Sequence, residues 1–228
     1  MARASSATPR AALLVGATGL VGRALLPLLL AGKHYRRVHV LLRHEAPHIK
    51  ASRKLQVHQV DFTQLPAPFP TADDVFITLG TTIRIAGSEA AFRQVDFAFV
   101  VNTARAARAA GATRLAVVSA LGADARSRVF YNRVKGEMEA AIAQLGYKSI
   151  VIAQPSLLLG DRAALGQPVR NRELWVARLL GPMGWMVPKA VRPIQARAVA
   201  SALLTAILAA KPGVHVLKSG AMQPHGLP

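Results

Sequence analysis

The sequence predicts an α/β fold: a doubly wound parallel sheet with helices on both faces and a small C-terminal segment beside it. Three observations predict this. Short apolar runs alternate with longer segments of helical periodicity along most of the chain. Three of the helical segments end close to a glycine. A glycine-rich turn joins the first run to the first helix. Strand-helix-strand repetition implies right-handed crossovers and a sheet covered on both sides.

The elements follow in order. Ala11–Val15 is a short apolar run, read as a buried strand. Leu20–Leu30 has helical periodicity and is followed by Gly32. Val38–Leu42 and Leu55–Val60 are the next strands, and Pro66, Pro68 and Pro70 stiffen the loop Leu65–Thr71. Val75–Leu79 is the fourth strand. A long helical pattern, Ser88–Ala110, ends near Gly111. Leu115–Ser119 is the fifth strand. Val129–Leu145 is helical and ends near Gly146, as helices with glycine C-caps do. Ser149–Ala153 is the sixth strand. Ala198–Ala210 and Val214–Leu217 supply the last helix and strand.

Between these lies a segment of different texture, residues 160–193. It holds Pro168, Pro182, Pro188 and Pro193, both tryptophans (Trp175 and Trp185), several arginines and one helical pattern, Arg172–Leu180. It breaks the alternation, so it is expected to cover the open end of the sheet and a substrate there. Trp175 and Trp185 either line that pocket or pack the segment onto the sheet. No linker or internal repeat divides the chain, so residues 1–228 read as one domain.

Composition narrows the function. Of the 228 residues 52% are apolar, enough for a substantial core. Cysteine is absent, which excludes disulfides, thiol catalysis and thiolate metal ligands. No apolar run reaches the roughly 18–20 residues of a membrane span, and Met1–Arg10 has no apolar signal core. These features point to a cytoplasmic protein. The net charge is +18 and would attract phosphates. The arginines are scattered, however, and no run of five basic residues occurs, so specific nucleic-acid binding is not expected. The seven histidines are dispersed without ligand-like spacing, so no metal site is expected.

The chemistry begins at the first turn, Val15-Gly16-Ala17-Thr18-Gly19-Leu20-Val21-Gly22. Three glycines at three-residue spacing between strand and helix suit a dinucleotide pyrophosphate. The first permits a sharp turn, the second a close approach of backbone to phosphate, and the third close helix–strand packing. The helix N-terminus then offers free N–H groups and partial positive charge. This makes the fold Rossmann-type. The second feature is Tyr131-Asn132-Arg133-Val134-Lys135, in which Tyr131 and Lys135 share a helix face. An ammonium beside a phenol stabilises the phenolate and fits the pair for proton transfer to or from an oxygen. Ser119 ends a strand 12 residues upstream, where ligands bind in parallel sheets. Its hydroxyl either bonds a substrate oxygen or caps the following turn.

Glycine turn, strand-end serine and YxxxK, in this order, resemble the short-chain dehydrogenase/reductase superfamily, in its extended and atypical branches. More narrowly, Leu79-Gly80-Thr81-Thr82, Val95-Asp96, Ser119-Ala120-Leu121-Gly122-Ala123-Asp124 and Tyr131 to Lys135-Gly136-Glu137 resemble the Tat-interacting-protein-like oxidoreductases. The resemblance implies an oxidoreductase moving hydride between a nicotinamide dinucleotide and a carbonyl or alcohol substrate. It implies that Gly16, Gly19 and Gly22 form the phosphate-binding turn, with Thr18 and Leu20 giving backbone contacts. It makes Tyr131 the proton donor or acceptor, Lys135 the ribose-binding group and Ser119 the orienting hydroxyl. Pro155, Ser156 and Leu157 would lie beside the nicotinamide, Asp61 and Phe62 beside the adenine, and Leu79, Gly80 and Thr81 near the adenine ribose.

Charge bears on the dinucleotide. The second strand ends in Arg43, a partner for a ribose 2′-phosphate, where an acidic residue would repel it. NADP(H) is therefore expected over NAD(H), with Glu45 opposing and Arg23 either assisting or merely solvated. Two positions depart from the family pattern. Gln154 stands where many members have arginine, and the relay asparagine has only Asn102 as a candidate. These departures leave a second expectation: a cofactor-binding regulator with little turnover. The Ala- and Val-rich faces of Ser88–Ala110 and Val129–Leu145 either form a homodimer seam or pack on the sheet.

Overall fold

The computed structural model describes residues 10–160, 188 and 190–223. Nine strands occur among them: β1 (Arg10–Val15), β2 (Tyr35–Leu42), β3 (Leu55–Gln59), β4 (Asp74–Ile77), β5 (Arg114–Val118), β6 (Ser149–Gln154), β7 (Leu158–Leu159), β8 (Ile194–Gln195) and β9 (Gly213–Lys218). Seven form one sheet in the order β3-β2-β1-β4-β5-β6-β9, with every neighbouring pair parallel. The remaining two, β7 and β8, pair with each other in parallel. Strand order reverses between β1 and β4, and the crevice at that switch point, beyond the carboxyl ends, is where such sheets bind ligands.

The helices are α1 (Leu20–Ala31), α2 (Ile83–Ala86), α3 (Glu89–Arg93), α4 (Val100–Ala109), α5 (Phe130–Ala143), α6 (Ala196–Ala209) and α7 (Ser219–Met222). A π-helical segment, Gln94–Phe99, joins α3 to α4.

The strands are apolar on both faces because both faces are covered. Ala12 and Leu14 of β1 join Leu25 and Leu29 of α1 and Val199, Leu203 and Ile207 of α6 in one core. Leu13 and Val15, pointing the other way, join Val100 and Ala104 of α4 and Met138 and Ile142 of α5 in the second. Burying each large aliphatic side chain contributes about 1.5–3 kcal/mol. The apolar faces of α4 and α5 are thus taken up by the sheet, which accounts for the stripe that also suited a dimer seam. At the amino end of the sheet the buried Asp74 accepts from Tyr35 Oη at 2.7 Å and meets Arg114 Nε at 2.5 Å, tying β2, β4 and β5 together.

All seven expected sheet strands are present, with ends moved by up to three residues. Three differences matter. The single helix expected over Ser88–Ala110 is α3, a π-helical turn and α4. Burial of Phe92, Asp96, Val100 and Ala104 keeps the same stripe in both forms, so periodicity does not report the wider turn. The elements α2, β7, β8 and α7 are too short to leave a periodic signal. Gly111 and Gly146 adopt positive φ after their helices, whereas Gly32 caps α1 in an extended conformation. The helix expected over Arg172–Leu180, with Trp175 and Trp185, lies outside the described residues.

Candidate functional site

The three glycines of the first turn do different work. Gly16 has φ +87°, and a Cβ there would stand 2.6 Å from the Thr78 carbonyl carbon. A Cβ on Gly22 would stand 2.1 Å from the Gly16 oxygen. Both positions exclude a side chain because backbone meets backbone. Gly19 is different: a Cβ there would meet nothing nearer than 3.4 Å. It is the N-cap of α1, makes no side-chain cap bond and faces a cleft. The N-terminus of α1 thereby presents backbone N–H groups and its dipole to that space.

The cleft has a volume of about 550 Å³. Four chain segments besides the glycine turn wall it. The loop after β4 contributes Leu79, Gly80 and Thr81; the end of β5 contributes Ser119; α5 contributes Tyr131 and Lys135; the chain after β6 contributes Pro155, Ser156 and Leu157. Gly19 and Leu20 complete the wall. Residues as far apart in sequence as Gly19 and Leu157 meet here because all follow the carboxyl ends of parallel strands or lie on the helix beside them.

Ser119 is buried, and its Oγ has no hydrogen-bond partner among the described residues. Its hydroxyl therefore caps no turn. A buried hydroxyl of this kind costs about 1–3 kcal/mol until something bonds it. The loop from Ser119 is strapped to α5. Asp124 N donates to Asn132 O at 3.1 Å, and a Cβ on Gly136 would stand 2.1 Å from Ala125 N. Only glycine lets α5 approach this closely, and that approach sets Tyr131 and Lys135 against the Ser119 loop. The Tyr131 ring rests on Phe92, with centroids 5.2 Å apart.

Lys135 is buried, and its Nζ lies 2.7 Å from Asp96 Oδ1. Burial pushes the ammonium down, but the carboxylate of Asp96, then Tyr131 and Glu139, outweigh it and hold it above the ordinary lysine value. Asp96 lies in the π-helical turn and is fully buried; its Oδ2 accepts from Thr81 N at 2.9 Å. Asp96 lies within the Val95-Asp96 pattern, whose resemblance implies no role for it. The available signal was a carboxylate on the apolar stripe between Phe92 and Val100, since a buried charge demands a partner.

Other expected residues lie outside the cleft wall. Gly16, Thr18 and Gly22 build the turn behind it. Arg43 is exposed beyond β2 and donates to His44 Nε2 at 3.1 Å. Asp61 accepts from Thr63 N and Oγ1, which holds its carboxyl below the usual range. Phe62 is buried with its ring 5.6 Å from that of Phe99. Asn102 is exposed and accepts from Arg105 at 3.1 Å, so it is a solvated helix residue. Gln154 is a buried bridge: its Nε2 donates to Glu139 at 2.9 Å, and its Oε1 accepts from Lys218 at 2.6 Å. Ser156 Oγ donates to Arg192 O at 2.5 Å, which links the cleft to the chain before β8. Among the described residues no three His, Cys, Asp or Glu side chains are grouped to hold a metal, and no helix is long and apolar enough to cross a membrane.

Comparison with known proteins bears on the same residues. A family model described as NAD(P)H-binding matches residues 16–154. The chain is 35% identical over 152 residues to the protein named FMP52, mitochondrial, of Eremothecium gossypii, covering 66% of this chain and 67% of that one. It is 29% identical over 184 residues to the Candida albicans protein of the same name, covering 75% and 80%. Among solved structures, the Bordetella bronchiseptica enzyme WbmG in complex with NAD superposes with TM-score 0.69 at 14% identity, over 95% of this chain and 75% of that chain. That likeness concerns the fold, and it agrees with the parallel Rossmann-type sheet.

These names correct one expectation. A cytoplasmic location was expected, and the curated relatives are named mitochondrial. The composition and hydropathy behind the cytoplasmic expectation do not discriminate between cytoplasm and mitochondrion.

Proposed function

The chain belongs to the NAD(P)H-binding family, in the atypical branch of the short-chain dehydrogenase/reductase superfamily, and from that premise we propose that it is an NADP(H)-dependent oxidoreductase of a carbonyl or alcohol substrate. One observation carries the reading: Ser119, Tyr131 and Lys135 share a single cleft with Gly19 and Leu20 at the N-terminus of α1. The residues fit a dinucleotide. The methyl-free edge of Gly19 leaves room for phosphate, and the unpartnered Ser119 hydroxyl awaits an oxygen. When bound, the dinucleotide supplies or accepts the hydride.

The chain's own groups handle the proton. In the reducing direction Tyr131 Oη donates its proton to the carbonyl oxygen, and Ser119 Oγ–H donates a hydrogen bond to the same oxygen and orients it. The Lys135 ammonium stabilises the phenolate left on Tyr131 and offers its remaining N–H groups to ribose hydroxyls. In the oxidising direction the phenolate takes the alcohol proton. Pro155, Ser156 and Leu157 would hold the nicotinamide end, and Leu79, Gly80 and Thr81 the adenine ribose. Asp61 and Phe62, outside the cleft wall, would hold the adenine end of the dinucleotide. Arg43, exposed beyond β2, would pair with a 2′-phosphate and favour NADP(H) over NAD(H).

The test is Tyr131→Phe, assayed by NADPH oxidation over a panel of carbonyl compounds. Loss of one proton-transfer group costs about 10²–10⁴-fold in rate, while NADPH affinity should stay within about threefold. A variant equal to wild type on every active substrate would overturn the assignment. The exposed position of Asn102 favours a second reading, a cofactor-binding regulator, because the expected relay residue does not reach the cleft. Micromolar NADPH binding without turnover of any carbonyl compound in the panel would select that reading.

A further inference from the structure

Asp96 links two walls of the cleft, and that is a demanding place for a carboxylate. It is fully buried, one oxygen against Lys135 Nζ and the other on the backbone N–H of Thr81. Lys135 belongs to α5 and Thr81 to the loop that leaves β4, so the two have no other direct connection among the contacts described. Gly80, beside Thr81, lies close against the same carboxylate, with a Cβ position 3.6 Å from Asp96 Oδ1. The carboxylate itself comes from the π-helical turn, Gln94–Phe99. Wide turns of this kind interrupt helices frequently at functional sites.

An ammonium buried as Lys135 is would lose its proton unless an anion stood beside it. The charged or titratable groups that face Lys135 are Asp96 from the π-helical turn, and Tyr131 and Glu139 from its own helix. Glu139 is held by Gln154. Tyr131 is neutral when it serves as the acid. Asp96 is therefore the anion in direct contact with Lys135.

We propose that Asp96 is a positioning residue for the reaction: it keeps Lys135 charged and fixes it in register with the Leu79–Thr81 wall. This rests on the oxidoreductase reading of the same cleft, and its test does not. Asp96 need not touch substrate or dinucleotide. It acts through Lys135, which it holds at one corner, and through Thr81, whose backbone N–H donates to it.

The first measurement is made on the protein without dinucleotide. In protein labelled with ¹⁵N-lysine, the Lys135 Nζ resonance, identified by its loss in Lys135→Met, is titrated with pH in wild type and in Asp96→Asn. Asparagine keeps an acceptor for Thr81 N–H and removes the charge. The expected result is a Lys135 titration at least one pH unit lower in the variant, a tenfold or greater loss of proton affinity. An unshifted titration would overturn the proposal. Where Asp96→Asn does not fold well enough for this, a thermal-melting cycle replaces it. Asp96→Asn strands a buried cation, so adding Lys135→Met should recover melting temperature lost in the single variant. Losses that simply add would overturn the proposal.

Turnover gives the second measurement. Asp96→Asn should lower kcat at least tenfold near neutral pH, with NADPH affinity changed less than threefold, and should move the alkaline limb of the kcat–pH profile to lower pH. A uniformly depressed profile with an unmoved limb would mean that Asp96 is structural only. If Tyr131→Phe turns over like wild type, the oxidoreductase assignment of the cleft fails, while the lysine titration still decides the role of Asp96.

Discussion

Replacing Gly22 and Gly19 by alanine, one at a time, separates two duties of the first turn. A methyl on Gly22 would stand 2.1 Å from the Gly16 oxygen and 2.7 Å from its carbon. Even a favourable C–H···O contact needs about 3.3–3.6 Å, so α1 must retreat by more than an ångström. Overpacking costs about 1–3 kcal/mol, and here the obstacle is backbone, which cannot rotate aside. Replacing a helical glycine returns up to about 1 kcal/mol. The net expectation is a loss of about 2 kcal/mol, or about 4–8 °C in Tm for a chain of this size. A methyl on Gly19 meets nothing nearer than 3.4 Å and should change Tm by less than about 2 °C. It does project at the cleft, so NADPH affinity should fall at least tenfold. Differential scanning calorimetry and NADPH fluorescence titration read the two effects. Wild-type Tm in Gly22→Ala, or wild-type affinity in Gly19→Ala, would refute the reasoning.

Further outcomes follow from other residues. Gly136→Ala should push α5 off the Asp124–Ala125 loop, because its methyl would stand 2.1 Å from Ala125 N; it should cost about 2 kcal/mol and lower kcat more than NADPH affinity, and unchanged kcat would refute the claim that this contact sets Tyr131 against Ser119. His39 lies 2.9 Å from His58, and burial, then the charges of His58 and Arg37, push it down to about 4. The unfolded chain, with a histidine near its ordinary value of about 6.5, therefore binds a proton that the folded chain refuses. Stability should fall as pH drops from about 6.5 to 4, and the fall should be shallower in His39→Gln; equal slopes of Tm against pH would refute this. Arg43→Ala should raise the Kd for NADPH about tenfold and leave NADH within about twofold, and an equal change for both would remove Arg43 from dinucleotide selection.

Much of the site was legible because its parts are local. The glycine turn is a contiguous signal, and its outer glycines do exclude side chains. Tyr131 and Lys135 share a face by helical spacing, and Ser119 lies just past a strand whose apolar run marks its end. Asp96 was hidden for a physical reason. A carboxylate on a buried stripe declares that it needs a cation, but spacing along the chain does not say which one. Lys135 is 39 residues away, and only the packing of α5 against the π-helical turn brings them together. The duty of Gly136 is likewise invisible in sequence, because the Asp124–Ala125 loop that needs its missing Cβ reaches it through tertiary packing.

Sequence alone determined the alternation of elements, the two-faced burial of the strands and the tight glycine turn before α1. Those features rest on residue order within a few positions, where apolar periodicity and glycine sterics act. Tertiary structure decided which hydroxyl was left unbonded in the cleft, which carboxylate neutralised the buried ammonium, and that Asn102 faces solvent. Such outcomes depend on distances between segments tens of residues apart, and only the closed packing of sheet and helices sets those distances.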